Sequence, residues 1–180
     1  MLHTPTTQSH PNSLNLTIPH LTHLFTSQPT LPPHLKPHIP QILQTLLTHL
    51  DSPPHISLLT PLFILHPPTK SMALRKGVLD ALVNCIENKC GMEALEALQA
   101  FLVDYCEGCE VFEQGALEKV CHILVDSRTE ERLRHKCIEL LTVYLAPTPP
   151  KTTLEKQHTL EAFLGPRFVK RLVKGLESLL

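Results

Sequence analysis

Two stretches of this 180-residue chain lie on one another. The run G-V-L-D-A-L-V-N-C-I-E from Gly77 overlays G-A-L-E-K-V-C-H-I-L-V from Gly115 at an offset of 38 residues. The segments that follow overlay at 39, with Leu98 on Cys137, Phe101 on Leu140, Leu102 on Leu141, Tyr105 on Tyr144 and Cys106 on Leu145. One inserted residue in the connecting loop accounts for the shift. A repeat of this length is one supersecondary unit that cannot bury its own apolar face, so it needs a neighbour of the same kind.

The units are helical. In Glu130–Ala146, Leu133, Cys137, Leu140, Leu141, Tyr144 and Leu145 recur at steps of three and four, which aligns them on one face of an α-helix. Glu131, Arg134, His135 and Thr142 fall mostly off that stripe, so the helix is amphipathic and requires a packing partner. Ser127 followed by Glu130 reads as a capping box, and Pro147, Pro149 and Pro150 end the helix. Thr152 with Glu155 reads as a second box. The same periodicity predicts helices over Ile39–Leu50, Pro54–His66, Met72–Asn88, Met92–Cys106, Ala116–Val125, Leu154–Leu164 and Arg167–Leu179. Gly108 and Gly115 flank a short turn holding Val111, Phe112 and Glu113. No stretch alternates as a half-buried strand does. The predicted class is all-α, an armadillo/HEAT-like helical repeat or α-solenoid, whose stacked inner helices form a groove where a partner sits.

The first 52 residues read differently. Thirteen of the seventeen prolines and nine of the twelve histidines lie in the first 68 residues. Up to residue 70 there is no Gly, Ala, Val or Glu and a single Asp, Asp51. Those five amino acids share guanine as first codon base, so an intron or leader read as coding sequence is one expectation. A genuine Pro/Thr/His-rich tail is the other, and such a composition buries little apolar surface. The domain reading is therefore 1–52 as a low-complexity, disordered or poorly packed segment and 53–180 as the armadillo-like domain. His3, His10, His20, His23, His34 and His38 show no regular ligand spacing.

Little in the chain reads as chemistry. A net charge of −1 argues against a nucleic-acid partner, which asks for a basic patch or stripe. The one basic cluster, Arg167, Lys170, Arg171 and Lys174, reads as a solvated helix face. No apolar run reaches membrane-spanning length and no charged leader precedes a cleavable segment, so a cytoplasmic protein without a membrane partner is expected. Cys106 and Cys109 have zinc-ligand spacing, yet no second pair follows at a finger-like distance, and the six cysteines read as free thiols. A zinc protein built on Cys85, Cys90, Cys106, Cys109 and Cys121 is the reading this disfavours. His122 and His135 sit in no triad-like motif, and six scattered glycines form no phosphate loop. The expectation is a non-enzyme with no cofactor, no metal and no small-molecule substrate. Thr4, Ser52, Thr60 and Thr148 precede prolines and are candidates for proline-directed kinases, close to a chance number in so proline-rich a chain.

Four stretches, in order, carry a resemblance over residues 56 to 180. L-F-I-L-H-P-P-T-K-S at Leu62–Ser71 resembles a leucine-rich helix end followed by H-P-P-S-R. V-F-E-Q-G-A-L-E-K-V at Val111–Val120 resembles an F-E-x-x-x-G-L-x-x-V turn, with one residue fewer before the leucine. K-C-I-E-L-L-T-V-Y-L-A-P at Lys136–Pro147 is similar to L-E-F-L-Y-F-Y-L-x-P. Thr153, Glu155, Lys156 and Gln157 with Leu160 and Leu164 are similar to a T-x-E-K-Q-x-x-L-x-x-x-L tail. Together they resemble the fungal cell-division-control family of the septation initiation network, the non-catalytic component and not the phosphatase of that name. The resemblance implies a regulatory subunit in complex with a germinal-centre-type protein kinase at the spindle pole body, promoting ring constriction and septum formation. For the kinase contact the groove of the expected helical stack, rather than the resemblance, suggests the groove-side polar residues Glu131, Arg134, His135 and Glu139, with Arg167, Lys170 and Lys174 second. A generic helical-repeat adaptor with another protein partner is the alternative.

Overall fold

Residues near 53, 91 and 131 each open a helix, and these three helices lie side by side. The structure, a computed structural model, describes residues 17–177, and every regular element in that span is helical. His3, His10 and Thr4 lie outside the described residues. In chain order the elements are α1 (Ile18–Ser27), a 3₁₀ turn (Pro33–His38), α2 (Ile39–Thr48), α3 (Pro53–Leu65), α4 (Pro68–Leu74) and α5 (Val78–Ile86). They continue with α6 (Gly91–Leu102), α7 (Cys106–Val111), a π turn (Phe112–Ala116), α8 (Leu117–Val125), α9 (Glu131–Leu145), α10 (Thr153–Leu164) and α11 (Pro166–Glu177).

The centre of the molecule is α6. Its sequence is apolar nearly all round, with Ala94, Leu95, Ala97, Leu98, Ala100, Phe101 and Leu102 all buried, and a helix of that kind belongs inside. It packs on α3 on one side and α9 on the other, with α5 alongside. The helix α9 keeps its expected stripe, Cys137, Leu140, Leu141, Tyr144 and Leu145 being buried and Leu133 half-buried.

The expectation of a poorly packed start fails for residues 18–52. Leu21, Phe25, Leu31, Leu35, Ile39, Ile42, Leu43 and Leu46 are buried in the same core as α3 and α6, and α1 and α2 lie on α3. Pro19, Pro33, Pro40 and Pro53 do not obstruct, because they stand at the first positions of their helices, where a missing N–H loses nothing; Pro37 lies inside the 3₁₀ turn and Pro61 inside α3. The threonines turn their hydroxyls back onto the helix: Thr22 donates to the Ile18 carbonyl at 2.9 Å and Thr45 to that of Gln41 at 3.1 Å.

Several local expectations also differ. The span expected as one helix over Met72–Asn88 is broken by Gly77, whose φ of +71° is the left-handed conformation a glycine adopts without a Cβ penalty. The expected turn between Gly108 and Gly115 is instead helical, α7 running through the π turn into α8. The expected Ser127–Glu130 box is absent. Glu130 is itself the N-cap, without a side-chain cap, while the Asp126 carboxylate accepts from the Arg128 N–H at 2.9 Å. The box at Thr152 and Glu155 is present, with the Thr152 N–H donating to Glu155 Oε2 at 2.7 Å.

Candidate functional site

A groove of about 750 Å³ opens where α3, α4, α6 and α9 meet. Its floor and lip are apolar: Phe63 and Ile64 from α3, Pro67, Ala100 from α6, and Val103 just beyond α6. Ile64 is 63% exposed and Val103 43%, and both line this one groove, where neighbouring exposed apolar groups mark an interaction surface more than single ones do. Charges line the walls, with Lys70 from α4, Glu96 from α6, Asp104, and Lys136 from α9.

The groove is braced by identifiable contacts. Phe101 lies beneath it, edge-on to Phe63 at 5.2 Å and to Tyr105 at 5.3 Å between ring centres. Lys70 is only 6% exposed and its Nζ donates to the Val103 carbonyl at 2.6 Å. That carbonyl belongs to the C-cap residue of α6, so the ammonium neutralises the negative end of the helix. Burial pulls the Lys70 pKa below the ordinary lysine value, and the Asp104 carboxylate works against that shift. α6 stops at Leu102 rather than at Cys106 because Val103 leaves the helical conformation at ψ 124°, and Asp104 follows at φ +51°. Lys136 joins two inner helices, 2.7 Å from Glu139 on α9 and 3.9 Å from Glu96 on α6.

A second polar centre sits at the far end of α9. The Tyr144 hydroxyl donates to Glu113 Oε1 at 2.8 Å, and Lys151 pairs with the other oxygen of the same carboxylate. Lys156, 1% exposed, donates from Nζ to the carbonyl of Ala146 at 2.7 Å and to Thr148 Oγ1 at 3.0 Å. Its ammonium stands 5.3 Å from the centre of the Tyr144 ring. Burial, then the bond to Glu113, raises the Tyr144 pKa. Three of the stretches that carried the resemblance, around Glu113, Tyr144 and Lys156, therefore meet at one point, and the fourth supplies Lys70 to the groove. Lys70 and Lys156 each hold the carbonyl of a helix C-cap, Val103 after α6 and Ala146 after α9.

The residues named from the sequence fall on a different surface from the groove. Glu131, His135 and Glu139 are exposed along one face of α9, and Glu139 pairs with Lys136. Arg134 is turned inward, donating to the Thr129 carbonyl at 2.7 Å, and so holds the α8–α9 loop. Arg167, Lys170 and Lys174 are exposed on α11, which packs beside α9. The sequence reading missed Lys70, Lys136, Ile64 and Val103. A signal existed for the buried lysine at the far end, since Lys156 lies one turn before Leu160 and two before Leu164 on the same stripe.

The thiols do not converge. Cys109 is buried with its Sγ 3.7 Å from the Leu102 carbonyl, whereas Cys106 faces Glu110. Among the described residues no group of three His, Cys, Asp or Glu side chains could hold a metal ion. Burial pushes the thiols of Cys121 and Cys137 up to about 12. Both are therefore expected to resist iodoacetamide in the native protein at pH 8 and to label on unfolding. Mass spectrometry of native and urea-treated samples checks this; labelling of either in the native state would contradict their burial.

Among the described residues no helix is long and apolar enough to cross a membrane. No curated protein and no solved structure matches the chain. Residues 54–178, most of the chain, match the family described as cell division control protein 14, SIN component. The chain belongs to that family, and as a component of the septation initiation network its role lies in septation initiation signalling.

Proposed function

We propose that the protein is a non-catalytic scaffold subunit that binds a germinal-centre-type protein kinase through the groove between α3, α6 and α9, and so promotes cytokinesis and septum formation. The observation that carries this reading is the pair Ile64 and Val103, large apolar side chains exposed over a fixed apolar floor within a charged rim. Apolar centres with polar rims are where protein partners gain most of their binding energy. The start points of α3, α6 and α9, separated by 38 and 40 residues, support an armadillo-like stack over the described residues from 53 onward, with the groove on its inner face. The bound kinase is held in its active arrangement by selection from conformations it already samples. Glu131, His135 and Glu139, on the helix that supplies Lys136, form a second contact set with Arg167, Lys170 and Lys174. The place of action that follows is the cytoplasm, and the spindle pole body in mitosis.

The test is binding of the full chain to the kinase by calorimetry. Ile64→Asp with Val103→Asp alters two exposed positions and leaves the fold intact, as circular dichroism will verify. It is expected to weaken binding by about thirtyfold, the effect of losing about 2 kcal/mol at a central contact. Unchanged affinity removes the groove from the reading. Recovery from mitotic extract of a different complex with no kinase in it makes the protein a generic helical-repeat adaptor.

A further inference from the structure

We propose that Thr148 is a phosphorylation site, and that the fold already holds the receptor for its phosphate in Lys156 and Lys151. Three of the Ser/Thr–Pro dipeptides lie among the described residues, and the structure separates them. Thr60 is inside α3 with its hydroxyl buried and without a partner, so it presents no extended segment to a kinase. Ser52 is the N-cap of α3 and is followed by Pro53, Pro54 and His55. Thr148 stands in the seven-residue loop between α9 and α10, half-buried, among the exposed Pro147, Pro149 and Pro150. The order Thr148-Pro149-Pro150-Lys151 sets a cation three residues beyond the hydroxyl. Kinases that accept proline after the acceptor residue use such charge patterns to choose among substrates.

The second observation is the environment of the hydroxyl. The Lys156 ammonium is almost fully buried and points at Thr148 Oγ1 from 3.0 Å. Among the described residues it has no carboxylate within ion-pair distance; its partners are the Ala146 carbonyl, the Thr148 hydroxyl and the face of Tyr144. A buried cation without a counter-anion is an expensive arrangement, and a phosphate on Thr148 supplies the missing charge where it is needed. Lys151, bridged to Thr148 by the backbone, flanks the same position. Its present partner Glu113 keeps the Tyr144 hydroxyl when Lys151 turns to the phosphate.

In the transfer, Thr148 Oγ1 attacks the γ-phosphorus of ATP held by the kinase. The Oγ1–P bond forms, the bond from that phosphorus to the β,γ-bridging oxygen breaks, ADP leaves, and the hydroxyl proton passes to the kinase's catalytic base. Thr148 loses its donation to the Ala146 carbonyl, which Lys156 continues to serve. The product is a loop pinned to α10 by charge, and this holds whether or not the groove binds a kinase.

The experiment incubates the full chain with a purified proline-directed kinase and ATP, maps the product by mass spectrometry and follows it by ³¹P NMR against pH. Phosphate is expected on Thr148, absent from Thr148→Ala. Lys151→Ala is expected to lower kcat/KM for the transfer by about tenfold, the loss of one charge contact to the kinase. The phosphothreonine, held by two ammonium groups, is expected to titrate below the value of about 6 of a free phosphomonoester. Phosphate on Ser52 with Thr148 bare, or a phosphothreonine titrating at or above about 6, overturns the proposal.

Discussion

Phe101→Ala is expected to lower the unfolding free energy by about 4 kcal/mol, within the range for emptying a buried aromatic site. The ring is fully buried and joins three elements: it meets Phe63 of α3 at an interplanar angle of 70° and Tyr105, at the start of α7, at 86°. Alanine leaves a void between α3 and α6 that the surrounding helices close only in part, and it removes both edge-to-face contacts. For a chain of this length the melting temperature falls by about 12 °C. Urea unfolding followed at 222 nm measures the change. A loss below about 1.5 kcal/mol would mean that the site collapses freely, and that the groove floor is softer than its geometry implies. The partner affinity of this variant falls for a different reason from that of Ile64→Asp, because Phe63 loses the ring that holds it in place.

Gly91→Ala is expected to destabilise by about 3 kcal/mol, the upper end for a forced overlap in a packed site. Two rules disagree about this position. Gly91 is the first residue of α6, and helix propensity alone favours alanine there by up to about 1 kcal/mol. A Cβ at Gly91 would lie 2.4 Å from the Ile86 carbonyl oxygen and 3.1 Å from Leu133 Cδ1. The first contact is with backbone at the end of α5 and does not yield by a rotamer change. The steric effect therefore wins, and the substitution forces α5 away from α6. A stabilised variant would show that the α5–α6 corner relaxes at little cost; the same urea measurement decides the sign.

The parts of this fold that could be read in advance share one cause: local period. The stripe Cys137, Leu140, Leu141, Tyr144 and Leu145 was visible because each member repeats the helical step, and the box at Thr152 and Glu155 because both partners lie within one turn. Ser127 and Glu130 have the same spacing, yet Asp126 captures the intervening turn through Arg128, and spacing cannot report that competition. The interior of α1 was hidden by composition, whereas the stripe of α2 was legible within Ile39–Leu50 and only its place in the common core was not. Threonine and proline lower the average, but the leucines and isoleucines between them fall on one side. The groove was illegible for another reason. Lys70 and Val103 are 33 residues apart, and nothing local marks a lysine as buried or a valine as exposed. Arg134 was expected on the groove side with Glu131 and His135; its guanidinium reaches back to the Thr129 carbonyl, a contact to the preceding loop that spacing along the helix does not report.

Likeness to the family starts at residue 54, but Leu21, Phe25, Leu43 and Leu46 belong to one continuous interior with Leu59 and Leu62. A fragment trimmed to the matched span would carry α3 with its covering helices stripped away, an oily flank on an otherwise ordinary surface. Retention of a partner on such a fragment would report stickiness as readily as recognition. The unit to express is accordingly the longer one, in which every leucine of α1 and α2 that faces inward keeps its neighbour.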